Sequence, residues 1–325
     1  MRRKIYILPI LLTLLTACEK EINYTGDFQK PKLVLHAMNL QENSSEIGCH
    51  LMHSTFFLDR VTYQDLLIKD ATVTAWRNGE KMTLQESKDI KGYYSVLCPT
   101  PHRVGDIIRI QASVPDYPTV EGTDTIVPMP KVELLTAEYD SVENSCKVRV
   151  RFGDNSAYKG MVGCQAVLNT MWRQWQGTGV DTTMRQVYWI TSMDKIFAGN
   201  GNAFSAEYGY NAGGELFVPA VDASNREVEF TMPTSYMENR YTKVRFDTLT
   251  LNFITHSTHS YRYWKSMYAY RNVQGSENFD FGEEISMMIG SEEKVQLYSN
   301  VENGYGIIRA ASIQTYIRNF TNENE

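Results

Sequence analysis

Two His-x-x-His pairs are the first residues in this chain whose types and spacing could do chemistry: His50-Leu51-Met52-His53 and His256-Ser257-Thr258-His259. On a helix, residues three apart share a face, so either pair could offer two imidazoles to one metal ion. The first pair adjoins Cys49 and encloses Met52, a mixture of soft and imidazole donors that would suit copper or haem iron. His50 and His53 are therefore the candidate metal ligands. A pair is only half a site, however. No His-Glu-x-x-His accompanies it, and Asp59 and Asp65 need a fold that brings them in. Surface or capping histidines are the plainer reading. A second group is aromatic. Trp172, Trp175 and Trp189, with Tyr208 and Tyr210 in a segment containing Gly199, Gly201, Gly213 and Gly214, could form a stacking surface for sugar or peptide. Of these, Trp172, Trp175, Tyr208 and Tyr210 are the candidate ligand contacts, against the ordinary alternative of sheet-core and sheet-edge residues. For catalysis the sequence offers nothing to name. There is no Gly-x-Ser-x-Gly elbow, no phosphate-cradling Gly-Lys-Ser/Thr loop and no dinucleotide fingerprint. Glu283-Glu284 and Glu292-Glu293 are adjacent residues, which point to opposite faces of a strand and cannot converge on a glycoside. The expectation is a protein without enzymatic activity and without a cofactor.

The strongest local signal lies at the start. Arg2, Arg3 and Lys4 precede an apolar run from Ile5 to Leu15, and small residues lead to a cysteine. That is the layout of a secretory signal. The run is too short to span a bilayer, which takes about 20 apolar residues. Leu15-Thr16-Ala17-Cys18 resembles the lipobox of bacterial lipoproteins, which implies cleavage after residue 17 and acylation of Cys18. One acyl chain binds only marginally and two or three anchor durably, so the expected partner is a membrane, reached through lipid. Glu19-Lys20-Glu21 and the polar stretch to Lys32 read as a tether. Acidic residues directly after the cysteine resemble surface-export signals of Bacteroidota lipoproteins. The expected location is the outer membrane, facing the cell surface, with the periplasmic face as the alternative.

Removing residues 1–17 leaves 308 residues and takes the formal charge from −6 to −9. This argues against nucleic acid, which wants a basic face. Twenty tyrosines and 13 phenylalanines favour strands over helices. Cys49, Cys98, Cys146 and Cys164 allow three disulfide pairings, with Cys49–Cys98 and Cys146–Cys164 keeping each bridge local. Buried free thiols are at least as good a reading.

Leu33 to Ala37 opens as a strand, and Asp70 to Trp76, the turn Arg77-Asn78-Gly79-Glu80 and Met82 to Leu84 make a hairpin signal. Gly92 to Val96 and Asp106 to Val114 follow at the rhythm of a sandwich. Residues 50–68 break that rhythm and read as an irregular segment with a short helix. Pro128-Met129-Pro130 marks a boundary. Beyond it, strands are expected at 146–152, 158–172, 186–191, 227–232 and 243–255, and one short helix over "HSYRYWKSMYAYRNV" behind a Ser257-Thr258 cap. The expected fold is mainly β, with an N-terminal immunoglobulin-like or transthyretin-like sandwich followed by a second β-rich domain with one short helix. The expected division is a signal peptide at 1–17, a tether at 18–31, the sandwich at 32–127, the second domain at 131–318 and a polar tail at 319–325.

Several segments together resemble one family of Bacteroidota lipoproteins, domain of unknown function 4249. They are "CEKEINYTGDFQKPKLVLHAMNL", "DATVTAWRNGE" with "KGYYSV", "HSYRYWKSMYAY" and "VQLYSNVENGYGII", in an order that spans almost the whole chain after Cys18. The resemblance implies a surface or outer-membrane lipoprotein in two β-rich parts, encoded beside a TonB-dependent transporter. The expected role is that of an accessory that binds or presents a ligand to such a transporter. A structural or adhesive surface protein, and a metal- or haem-capturing lipoprotein, are the alternatives. The resemblance supplies no catalytic residues.

Overall fold

A computed structural model describes residues 30–55, 61–140, 145–174, 181–188, 216–233, 242–274 and 297–320. Within them the chain is mainly β, and its strands form three sheets. The largest is laid out around β17 (Tyr305–Asn319). One flank of β17 pairs in parallel with β1 (Leu33–Leu40), and β2 (Glu46–His53), β6 (Tyr93–Leu97) and β5 (Gln85–Glu86) extend the sheet from there. The other flank pairs with β15 (Thr242–His256), followed by β11 (Met161–Gln174) and β12 (Asp181–Tyr188), with β13 (Leu216–Pro219) also on β11.

β17 alternates according to what lies on each face, as strand geometry requires. Ile308 and Ala310 enter a first core with Leu35, Ala37, Ile47 and Leu51. Ser312 donates to the Val127 carbonyl at 2.6 Å and Gln314 to that of Val132 at 3.2 Å. Tyr316 packs on a second core built on Phe152, Phe230, Leu251 and Phe253. Two smaller sheets back these cores. The first comprises β3 (Thr72–Arg77), β4 (Glu80–Thr83), β7 (Ile107–Ser113), β8 (Val120–Thr125) and β16 (Val301–Glu302), and the second β9 (Val132–Asp140), β10 (Ser145–Phe152) and β14 (Glu227–Pro233). Two sandwiches are thus joined through one shared sheet. The intervening residues 303 and 304 and the start of β17 bring the chain's end back to the first core, which also takes Val301.

The remaining elements are helical. α1 (Tyr63–Leu66) and α2 (Ala220–Ala223) are single turns. α3 (Thr258–Gln274) packs on β17 and β15, and Tyr263 on it is buried. The Asn78-Gly79 hairpin forms as expected, with φ of 52° and 89° at the two turn residues and Arg77 opposite Glu80. Two expectations are corrected. Residues 46–53 are a regular strand that pairs on both sides, so the irregular reading fails for residues 50–53. Alternation there is masked in the sequence by Cys49 and two histidines. At the other end, Asn319 closes β17 and Phe320 is buried in the second core, so the polar tail starts later than residue 319.

Candidate functional site

β2 decides the first sequence-derived site. A strand sends residues three apart to opposite faces, so His50 and His53 diverge and the helical premise for their pairing fails. His53 Nδ1 lies 3.1 Å from the Ser54 carbonyl oxygen, whereas His50 stands on the outer face, between the core residues Cys49 and Leu51. What the fold pairs with His50 is His36. The two are directly opposite in the antiparallel β1–β2 ladder, which places their Cβ atoms about 5 Å apart on one face. The Tyr93 ring lies 4.8 Å from that of His50, and the Tyr263 ring of α3 meets His36 edge-on at 6.3 Å. Gly48 makes room for this arrangement: a Cβ there would sit 2.1 Å from the Tyr93 hydroxyl oxygen, which donates instead to Glu46 at 2.8 Å. Burial lowers the pKa of both imidazoles, and proximity to His50 lowers that of His36 further. The sequence could show His36 only to a reader who already knew the strand register.

The second His-x-x-His pair lies where the sandwiches meet. His256 ends β15 and Ser257 caps α3, its Oγ accepting from the Ser260 N–H at 3.0 Å. The same hydroxyl donates to Asp124 Oδ2 at 2.5 Å. Asp124 also accepts from the Ala310 N–H at 2.7 Å and from the Thr125 N–H at 2.8 Å. Ala310 sits one residue past the end of the β15 ladder, where His256 pairs with Ala311. The carboxylate thus fills a place a strand would have filled, satisfying an amide that would otherwise be buried without a partner. His256 Nδ1 is 2.8 Å from Ser260 Oγ, and its carbonyl accepts from the Tyr158 hydroxyl at 2.5 Å. His259 Nδ1 lies 2.6 Å from the Tyr298 hydroxyl.

Serine, histidine and aspartate side by side invite comparison with a nucleophilic triad, but the bonding differs. The serine bonded to Asp124 is not the one bonded to His256, and both Ser260 and His256 are 0% exposed. A nucleophile must be reached by substrate and released toward it. This network fastens β8, β17 and α3 together. Burial pushes the Asp124 carboxyl up, with the three donors and His259 pulling against it.

Beside the junction lies an open cleft of about 590 Å³. Pro128, Met129 and Pro130 line it together with Glu42, Lys131, Arg151 and Gln314. Glu42 accepts from the Met129 N–H at 2.7 Å, and Arg151 forks onto Glu227 and Glu133. The polar groups at its rim are therefore held in place, partly by the linker the paired prolines announced.

Trp172 is placed on β11 opposite Thr182 and Val244, two residues from the strand's end. Trp175, Tyr208 and Tyr210 lie outside the described residues, as does Cys18. Cys49, Cys98, Cys146 and Cys164 are all free and buried. Burial pushes the Cys49 and Cys146 thiols up to about 12. The thiolate is the reactive form, so neither is expected to react with a disulfide-exchange reagent at pH 8 in the native protein, while all four should titrate after unfolding without reductant. Fewer than four thiols on unfolding would mean a disulfide. Among the described residues no cluster of three or more His, Cys, Asp or Glu side chains could hold a metal, and no helix is long and apolar enough to cross a membrane.

A comparison with curated proteins returns no match. The sequence profile of one family, Domain of unknown function (DUF4249), matches residues 19–317, from the residue after Cys18 almost to the end of β17, and the chain belongs to that family.

Proposed function

We propose that the protein is a lipid-tethered, non-enzymatic module that holds a ligand-contact surface away from the outer membrane and serves a neighbouring TonB-dependent transporter. The observation that carries this reading is directional. β1, the first strand after the tether, and β17 run in parallel, both leading away from the point where the tether joins at Lys32. β17 then continues into the second sandwich, and its 15 residues span about 50 Å at 3.3 Å per residue. A continuous strand makes the two sandwiches a stiff spacer. The ends of β11, β15 and β17 at Gln174, Thr242 and Asn319 lie on the side remote from the tether, and Trp172 is there. The segment from Glu19 to Lys32 adds a reach of at most about 50 Å.

The leader at residues 1–17, directly before Cys18, supports the lipid anchor. Affinity capture of the lipidated protein from intact membranes in mild detergent tests the reading. An outer-membrane barrel is expected to co-purify with it. Recovery of the intact lipoprotein alone, with neither barrel nor small molecule, would contradict the transporter role, and loss of cell or matrix adhesion on deletion would favour a surface adhesin.

A further inference from the structure

We propose that His36 and His50 together form a binding site for a copper ion on the outer face of the shared sheet. Three observations converge on it. The two residues are directly opposed across an antiparallel ladder, so their rings start about 5 Å apart at Cβ, a separation from which two imidazole nitrogens can each reach one cation at about 2.0 Å. No hydrogen bond engages either ring among the described residues, and His50 Nδ1 is shielded from solvent without a partner. A ring nitrogen in that condition is a cost to the fold that a bound cation would remove.

The surroundings suit the ion. α3 packs on β17 and β15, and the ring of its Tyr263 meets His36 edge-on at 6.3 Å, while the Tyr93 ring lies 4.8 Å from that of His50 on the β2 side. Met52 stands two residues along β2 from His50 and so on the same face, where its thioether adds a soft donor. Imidazole with thioether selects copper over harder cations, and copper heads the order of divalent affinities. This site does not depend on the transporter reading: it would exist whether or not a barrel is captured.

Titration of the full chain in detergent with Cu²⁺ tests the proposal, read by electron paramagnetic resonance and by competition with a chelator. One Cu²⁺ per chain is expected, with hyperfine coupling to two imidazole nitrogens. His36→Ala and His50→Ala should each weaken binding by at least about tenfold and remove one nitrogen from the spectrum. His53→Ala, on the opposite face, should leave both unchanged. Circular dichroism establishes that each variant is folded, and His36→Gln and His50→Gln replace any alanine variant that is not. Folded His36 and His50 variants that bind as the parent does would overturn the site, as would an equal loss in His53→Ala.

Discussion

Alanine at Gly306 is expected to destabilise the protein by about 3 kcal/mol or more, and to do so by parting β17 from β1. Gly306 has φ of +119°, a conformation that L side chains rarely adopt, and it pairs with Leu35. A Cβ at this position would lie 2.0 Å from the Leu35 carbonyl oxygen. The backbone strain contributes about 1–3 kcal/mol, and the clash, with main chain that cannot rotate away, adds about 1–3 kcal/mol more. Leu35 and Ile308 both belong to the first core, so the displacement opens packing as well as a ladder. Denaturant midpoints measure the loss, and amide exchange locates it. Exchange should quicken along β1 and the first half of β17 before it changes in β10 or β14. A variant within about 0.5 kcal/mol of the parent, the range of an ordinary surface change, would mean that the two strands do not approach this closely.

Asp124 is the second position where one change should cost several kcal/mol. Asp124→Ala removes the acceptor from the Ala310 N–H and from the Ser257 hydroxyl. Each buried donor left without a partner costs about 1–3 kcal/mol, so a loss of about 2–6 kcal/mol is expected for the two. Asp124→Asn keeps an acceptor oxygen and should lose less. The pH dependence separates charge from hydrogen bonding. Burial raises the folded pKa of Asp124 above its ordinary value, so the folded chain holds this proton more tightly than the unfolded chain does. The resulting contribution is fully present below the unfolded carboxyl pKa of about 4 and is lost as pH climbs through the raised folded value. Asparagine does not ionise. The stability of Asp124→Asn relative to the parent is therefore expected to improve as pH rises from about 4 to 8. A relative stability that worsens over that range would place the folded pKa below the ordinary one.

Both positions show what the sequence could and could not disclose. The Asn78-Gly79 hairpin was legible because a two-residue turn needs positive φ and names the residues that supply it. The Ser257 cap was legible for a similar reason, since it acts on the next three residues. The proline boundary is crossed by the chain's end, since Val301, Ile308 and Ala310 return to the first core. Pairings between distant residues left no such trace. Nothing local marks Asp124 as the acceptor for an amide 186 residues away, or His36 as the partner of His50 rather than His53. The His50–His53 expectation failed for a definite physical reason. A helix would set both imidazoles on one face, whereas the period of 2 in this strand sends the second to the other face. β17 left little trace in the sequence, because Arg309 to Arg318 carry their alternation in serine, glutamine and threonine.

The proposed role beside a transporter depends on where the chain is held, and mass spectrometry of the mature amino terminus tests that most directly. The expected result is a chain beginning at Cys18 and carrying acyl groups, recovered in the outer-membrane fraction, with Cys18→Ala unacylated and released from it. A mature chain that begins elsewhere, or a Cys18→Ala variant that still fractionates with the outer membrane, would contradict the lipid tether and with it the role of the two joined sandwiches as a spacer.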